Sequence, residues 1–481
     1  MAEGVWRIAD EDPARPAIVE ATGAIRTYRE LADEANRLTH GLRRLGLTAG
    51  DVVAAVLPNE ATMLALQLAA RAVLHSARFA AATGAALDSL AAPPPAFSTA
   101  SGLGELTAGV PATRPDDRSA GAAMHYTSGT TGRPKGVRRP LAGLDPDLVA
   151  ERLPGFLAIF GVTPHGGAVH LAVSPLYHTA VMTFSTTSLH AGHTVVLMDG
   201  WSPEETLRLI SEQRVSTTHM VPTQFHRLLA LPDDVRTAAD VSSLTHVIHA
   251  AAPCPIEDKR RMLDWWGPVI YEYYAATEGG GTLVTPREWL ERPGTVGRAW
   301  PNSAVRIQDD GGDPCSPGVP GTVWMSLAQA DFEYHGDTEK TRAGRRDGFF
   351  TVGDVGYLDE AGYLFLCDRK ADMIISGGVN IYPAEIEMAL FAHPKVADAA
   401  VFGIPDAEWG EQVKAVVEPA SGATAGPDLE HELMEFCRKR LAGYKCPKTI
   451  DFIPQMPREP TGKLLKRNLR DPYWADQRRA I

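Results

Sequence analysis

The spacing of apolar positions divides the chain into segments of different period. Ala17-Ile18-Val19 and Ile25-Arg26-Thr27-Tyr28 flank Thr22-Gly23, the pattern of a short hairpin within 16–30. Leu31, Ala35, Leu38, Leu42 and Leu45 recur at helical spacing and stop at Gly46, which predicts a helix over 31–45. A buried-type strand is predicted over 52–57 and a mostly apolar helix over 62–74. Residues 80–115, rich in Ala and Pro, carry no period from which an element can be read. Beyond them strand-like runs at 168–173, 194–198, 217–221, 247–250 and 269–274 alternate with helical ones such as 203–213. Such alternation implies parallel strands flanked by helices.

The texture then changes. From 295 to 366 short strands alternate with Gly, Pro and Asp turns, as in a small β-rich subdomain, and 358–364 reads as a hairpin. After Arg369 a helix opens at Pro383, with Glu385 and Glu387 in its first turn. Strands at 396–402 and 413–418 and a helix over 429–441 follow. The expected fold is therefore α/β. A large N-terminal domain (1–368), of two α/β subdomains and a β-rich one, precedes a small α+β C-terminal domain (369–481). No internal repeat is visible.

A chain of 481 residues is long for a single core, and 44% hydrophobic with 22% charged residues is an ordinary globular composition. The net charge of −12 disfavours nucleic acid or an anionic membrane as partner. Five scattered cysteines suit a reducing compartment better than a disulfide framework. Asp10, Glu11, Asp12 and Pro13 stand where a signal peptide would be apolar, and no apolar run reaches membrane-spanning length. A cytoplasmic protein is expected, its oligomeric state left open.

One loop concentrates chemistry. Residues 126–137 read Tyr-Thr-Ser-Gly-Thr-Thr-Gly-Arg-Pro-Lys-Gly-Val. Glycines let the backbone approach an anion, the hydroxyls of Thr127, Ser128, Thr130 and Thr131 add donors, and Lys135 adds a charge. Gly129 is part of the same run. The reading is a polyphosphate grip, distinct from a Walker loop because Gly136, not Ser or Thr, follows Lys135. A plain surface turn has the same residue types at lower density. His190/His193 and His246/His249 have His-x-x-His spacing without acidic or thiol neighbours, and are read as structural.

On this loop and seven further motifs the chain resembles the adenylate-forming superfamily of acyl-CoA synthetases, aryl-CoA ligases, luciferases and peptide-synthetase adenylation domains. The motifs are Pro175-Leu176-Tyr177-His178, Tyr274-Ala275-Ala276-Thr277-Glu278, Gly294-Thr295-Val296-Gly297-Arg298, Thr351-Val352-Gly353-Asp354, Asp368-Arg369-Lys370, the run from Ser376 to Glu387, and Thr461-Gly462-Lys463. The resemblance covers most of the chain. It implies that a carboxylic acid attacks the α-phosphate of ATP and that coenzyme A then takes the acyl group from the adenylate. It makes Lys463 the lysine between carboxylate and α-phosphate, Thr277 a contact of that phosphate and Glu278 the ligand of Mg²⁺. Tyr274 or Tyr273 offers a face to stack on adenine, the alternative being a buried core tyrosine, and Asp354 and Arg369 are implied as the ribose contacts. His178, Ala250 and Ala251 are implied on the acyl side, Gly377 and Gly378 beside the pantetheine arm, and 369–481 as a mobile lid.

Two departures stand out. Between Asn59 and Tyr126 the family normally has a few dozen more residues, so the N-terminal domain is expected to be shortened between 75 and 125. Ala371 stands where the family has a polar hinge residue, with Asp372 beside it. The expected activity is that of an AMP-forming acyl-CoA ligase acting on a fatty or other bulky apolar acid. That no carrier domain follows Ile481 favours coenzyme A as acceptor. The alternatives are a nucleotide-binding remnant without catalysis and an enzyme that loads a separate carrier protein.

Overall fold

The computed structural model describes residues 4–48, 50–66, 73–90, 93–127, 135–164, 167–327, 331–459 and 463–475. It divides into two compact units. The first comprises 1–220, 231–248 and 331–338, the second 221–230, 249–330 and 339–481.

In the first unit the strands Thr217–Met220, Val169–Ala172, Thr194–Leu197, Pro16–Val19 and Ile25–Thr27 lie side by side in that order. All neighbours are parallel except the terminal hairpin, where Val19 faces Ile25. Thr217–Met220 is buried at every position, as parallel strands covered on both faces must be. The helix on this sheet runs Tyr28–Arg44 and begins three residues before the apolar stripe predicts. A capping box is the reason: Thr27 Oγ1 accepts the Glu30 N–H at 3.2 Å and Glu30 Oε2 accepts the Thr27 N–H at 2.8 Å. Its buried face (Tyr28, Leu31, Leu38, Leu42) joins Ile18, Val195 and Leu197 in one core.

The stretch 61–107 contradicts two expectations. Helix Ala61–Leu66 is observed, but Val73–His75 is a strand and not the end of a helix over 62–74. It pairs in parallel with Ala54–Val56 on one side and Ala96–Ser98 on the other, and those ladders override the helical period. The Ala-rich stretch read as featureless also holds the helices Ala80–Asp88 and Gly102–Thr107. Only Thr83 of the first helix is buried, so no core-facing stripe announced it. Elsewhere strand His125–Thr127 is antiparallel to Lys135–Arg138, which pairs in turn with Glu333–Tyr334.

In the second unit Ile270–Ala276 forms a hairpin with Gly279–Val284. A meander includes Ser303–Gln308, Gly321–Leu327, Asp354–Leu358 and Leu364–Arg369, all antiparallel, with the expected hairpin at its end. The C-terminal segment has its own core. The long hairpin Val396–Asp406/Gly410–Pro419 carries Val401, Val413 and Ala415 against helices Pro383–Phe391 and Pro427–Arg438, and Thr449–Phe452 adds a parallel strand. Among the described residues no helix is long and apolar enough to cross a membrane.

Candidate active site

The densest assembly of candidate residues lies in the second unit. Ala276 pairs with Gly279, so Thr277 and Glu278 are the two turn residues of the hairpin. Gly281, three residues after Glu278, cannot carry a side chain: a Cβ there would lie 2.5 Å from the Trp300 ring and 2.8 Å from the Tyr274 carbonyl. Backbone packing thus holds the turn close to the strand that bears Tyr274.

The Tyr274 hydroxyl donates to Asp354 Oδ2 at 2.7 Å. Asp354 lies directly opposite Arg369 in the antiparallel register, and Arg369 Nε is 3.3 Å from Asp354 Oδ1. Burial, followed by the Asp354 charge, pushes the Tyr274 phenol well above its ordinary range, so it remains a donor. Burial works against the Arg369 charge, but Asp354, Asp372 and Tyr274 outweigh it and its pKa is raised. Gly353, at φ 86, makes the bend before Asp354 that a side chain would strain.

Lys463 belongs to this assembly. Its pKa is lowered first by burial and then by the Arg369 charge, while Glu459, Asp372 and Asp354 pull it upward. The ammonium is therefore within electrostatic reach of the Asp354–Arg369 pair. The described residues that flank it on the N-terminal side are held firmly. Glu459 N donates to the Lys463 carbonyl at 2.9 Å, and Arg458 grips Asp398 with two bonds of 2.6 and 2.7 Å. Thr461 and Gly462 of the motif lie outside the described residues. Three residues on, Lys466 pairs with Glu387 at 2.8 Å.

Asp368, adjacent to Arg369, carries a role the motif alone did not suggest. It accepts the Arg369 N–H at 2.7 Å and the Ala384 N–H, at the start of helix Pro383–Phe391, at 2.8 Å. Burial pushes its carboxyl up to about 6, with Lys466 opposing. Ala371 sits in the tight turn after Arg369, whose carbonyl accepts N–H groups from Asp372 and Met373 at 3.0 and 3.1 Å. Asp372 stands 3.9 Å from Arg470.

Glu278 is buried, and its charge contributes to the raised Tyr274 pKa. No group of three or more His, Cys, Asp or Glu side chains that could hold a metal occurs among the described residues. A lone carboxylate nonetheless fits Mg²⁺, which keeps waters and takes substrate phosphate oxygens as its other ligands. Ala250 is buried and Ala251 adopts φ 77, a left-handed conformation costly for alanine. Gly377 and Gly378, at φ 57 and 79, form the two-residue turn between Ile374–Ser376 and Val379–Ile381. Trp409, half exposed, covers Gly377: a Cβ there would lie 2.6 Å from its ring. No motif marks Trp409 in the sequence; only its place before Gly410-Glu411 sets it apart.

Beneath this assembly is a buried ion pair that spacing does not reveal. Lys259 Nζ donates to Glu272 Oε2 at 2.6 Å, His249 Nε2 lies 3.5 Å from the same oxygen, and Lys259 is 4.7 Å from the Trp289 ring centroid. Glu272 shares a strand with Tyr274, two residues away, so the pair anchors the strand that presents the phenol.

The first unit holds the remaining candidates. Thr127 ends one strand and Lys135 starts the next, while Ser128, Gly129, Thr130 and Thr131 lie outside the described residues. Lys135 Nζ is 5.3 Å from the centroid of the Tyr334 ring. His178 caps helix Thr179–His190, its Nδ1 accepting the Ala180 N–H at 3.3 Å. Of the histidines read as structural, His190 is buried and its Nδ1 accepts the Val5 N–H at 3.3 Å.

The family model of the AMP-binding enzymes matches residues 5–73 and 72–330, in two pieces that meet at the start of strand Val73–His75. The model of the AMP-binding enzyme C-terminal domain matches residues 385–463. The chain is 35% identical to a feruloyl-CoA synthase of an Amycolatopsis species, over 97% of this chain and 98% of that protein. It is 31% identical to a fatty acid–[acyl-carrier-protein] ligase of Streptomyces coeruleorubidus, over 98% and 96%. Among solved structures it is similar to ATP-bound MatB from Rhodopseudomonas palustris, at a TM-score of 0.82 and 29% identity over 99% of both chains.

Proposed function

The chain belongs to the AMP-binding enzyme family and is an AMP-forming acid–thiol ligase, and from that premise we propose the roles of its residues in two half-reactions. In the first, a carboxylate oxygen of the acid attacks the α-phosphorus of ATP, the bond to the β-phosphate bridging oxygen breaks, and pyrophosphate leaves. In the second, the sulfur of coenzyme A attacks the acyl carbon, the bond to the phosphate oxygen breaks, and AMP leaves. The acid is bulky and largely apolar, an alkyl chain or a ring.

The observation that carries this reading is the neighbourhood of Lys463, a half-buried cation within electrostatic reach of the Asp354–Arg369 pair. Both half-reactions build negative charge on oxygen, and a fixed cation stabilises it most where water is excluded. Asp354 takes the ribose hydroxyls, Arg369 and Tyr274 hold its carboxylate in place, and Lys463 bridges the acid and the α-phosphate. Thr277 donates to the same phosphate. Glu278 offers the carboxylate oxygen for Mg²⁺, which when bound neutralises the polyphosphate. The loop 127–131 and Lys135 grip the β- and γ-phosphates, and His178, Ala250 and Ala251 wall the acid. Residues 369–481 act as a lid that turns about Ala371, withdrawing Lys463 and bringing Gly377 and Gly378 to the pantetheine arm.

The test is pyrophosphate exchange with Lys463→Ala. Its rate should fall by about 10²-fold or more, while ATP still raises the thermal midpoint. An unchanged exchange rate would remove Lys463 from the chemistry. ATP binding with no exchange for any acid, in the natural chain, would favour the non-catalytic alternative. Identity to a carrier-protein ligase supports a second reading, in which the acceptor thiol is carried by a protein. Thioester formed with coenzyme A as sole acceptor decides against it.

A further inference from the structure

Behind His178 the first unit holds a buried group of imidazoles. His219 is 2% exposed and His170, on the adjacent strand, 1%. The parallel register sets His170 beside Thr217 and Ala172 beside His219, so both rings leave the sheet on one face. Phe184, from helix Thr179–His190, stacks on both: its ring is 5.1 Å from His219 at 27° and 6.4 Å from His170 at 18°. Phe156 and Phe160 pack against Phe184 at 5.2 and 5.4 Å, so three contacting rings fill the space behind. His178 in turn is close enough to His219 to affect its charge.

Among these aromatic rings the interior also carries polar atoms without a partner. His170 Nδ1 meets Thr217 Oγ1 at 2.9 Å, but its Nε2 has no hydrogen-bond partner. The hydroxyl of Ser188, one helical turn beyond Phe184 and fully buried, also has none. Native interiors keep few such atoms, because each forfeits its bonds to water. Burial holds His170 and His219 down to about 3, so both rings are neutral. A neutral imidazole accepts from a hydroxyl but cannot offset a second carboxylate.

We infer that His178, His219 and His170 form the polar end wall of the acid pocket, with Phe184 setting its depth, and that the acid is a ring-bearing one with a neutral hydrogen-bonding substituent such as a phenolic hydroxyl. A long saturated fatty acid would leave the wall unmet and run into the phenylalanines. This rests on the ligase reading, with His178 on the acid's side.

The test compares 4-hydroxycinnamic, cinnamic and dodecanoic acids in pyrophosphate release by the full chain with Mg-ATP. The hydroxylated acid should exceed its deoxy counterpart in kcat/KM by about tenfold or more, because a site built around a hydroxyl rejects the analogue lacking it. Dodecanoate should be the poorest. His219→Leu should cut the ratio of hydroxylated to deoxy acid by about tenfold, and His219→Gln should restore part of it. Phe184→Ala should admit longer acids. Equal or better turnover of cinnamate or dodecanoate by the natural chain overturns the acid class while keeping the ligase. Absence of pyrophosphate with every acid, despite ATP binding, overturns both. The natural-chain comparison decides even if a variant fails to fold.

Discussion

At the scale of single residues, Lys463 is the side chain on which the proposed reaction depends most, and its environment makes its behaviour testable. Burial and Arg369 lower its pKa, so it loses its proton at a lower pH than an ordinary lysine near 10.4. The charged form is the useful one, hence adenylation is full below that pKa and falls as pH rises through it. Pyrophosphate exchange measured from neutral to strongly alkaline pH should show this descending limb beginning below that of an unperturbed lysine. Lys463→Arg stays charged throughout, and its slower exchange should lack the limb. A limb of the same position in that variant would assign it to another group. Ala251 is one of four non-glycine residues with a left-handed backbone among the described residues, and it stands in the segment proposed to wall the acid.

At the scale of elements, short hairpins and their buried supports present the site. Thr277 and Glu278 occupy a two-residue turn because Ala276 and Gly279 pair across it. The strand behind that turn is tied to helix Ile256–Trp266 by the Lys259–Glu272 pair, with both partners at most 6% exposed. Removing one partner of such a pair strands the other charge, whereas removing both costs little. Lys259→Met should destabilise the second unit by about 3–5 kcal/mol in urea unfolding, and Lys259→Met with Glu272→Leu should recover most of it. A single variant as stable as the parent would mean that Glu272 is already protonated. The elements that sequence misjudged are those set by pairing. Val73-Leu74 follows a helical pattern but is held as strand by ladders on both edges.

At the scale of the molecule, the proposed lid motion depends on what sits at the hinge. Asp368 ties the Arg369 backbone to the start of helix Pro383–Phe391, and Asp372 reaches Arg470, yet Ala371 between them has only a methyl group. Asp372 so engaged favours one orientation, and the lid turned for the thiol step loses that support. Ala371→Lys should therefore raise thioester formation relative to adenylation, by up to about tenfold, or about 1.4 kcal/mol. Separate single-turnover measurements of the two half-reactions check this, and an unchanged ratio would count against Ala371 as the hinge.

What the chain determined by itself was local. The helical stripe of Leu31, Leu38 and Leu42, the hairpin around Thr22-Gly23 and the hairpin over 358–364 were legible because each follows from neighbours along the chain, whereas the candidate site residues stood out only as motifs of a resemblance. Tertiary structure alone decided what lies beside them. Tyr274 reaches Asp354 across 80 residues, Lys259 finds Glu272, and His170, His219 and Phe184 meet from two strands and a helix. Such contacts depend on which faces pack together and on how burial shifts charge, and neither has a period in the sequence.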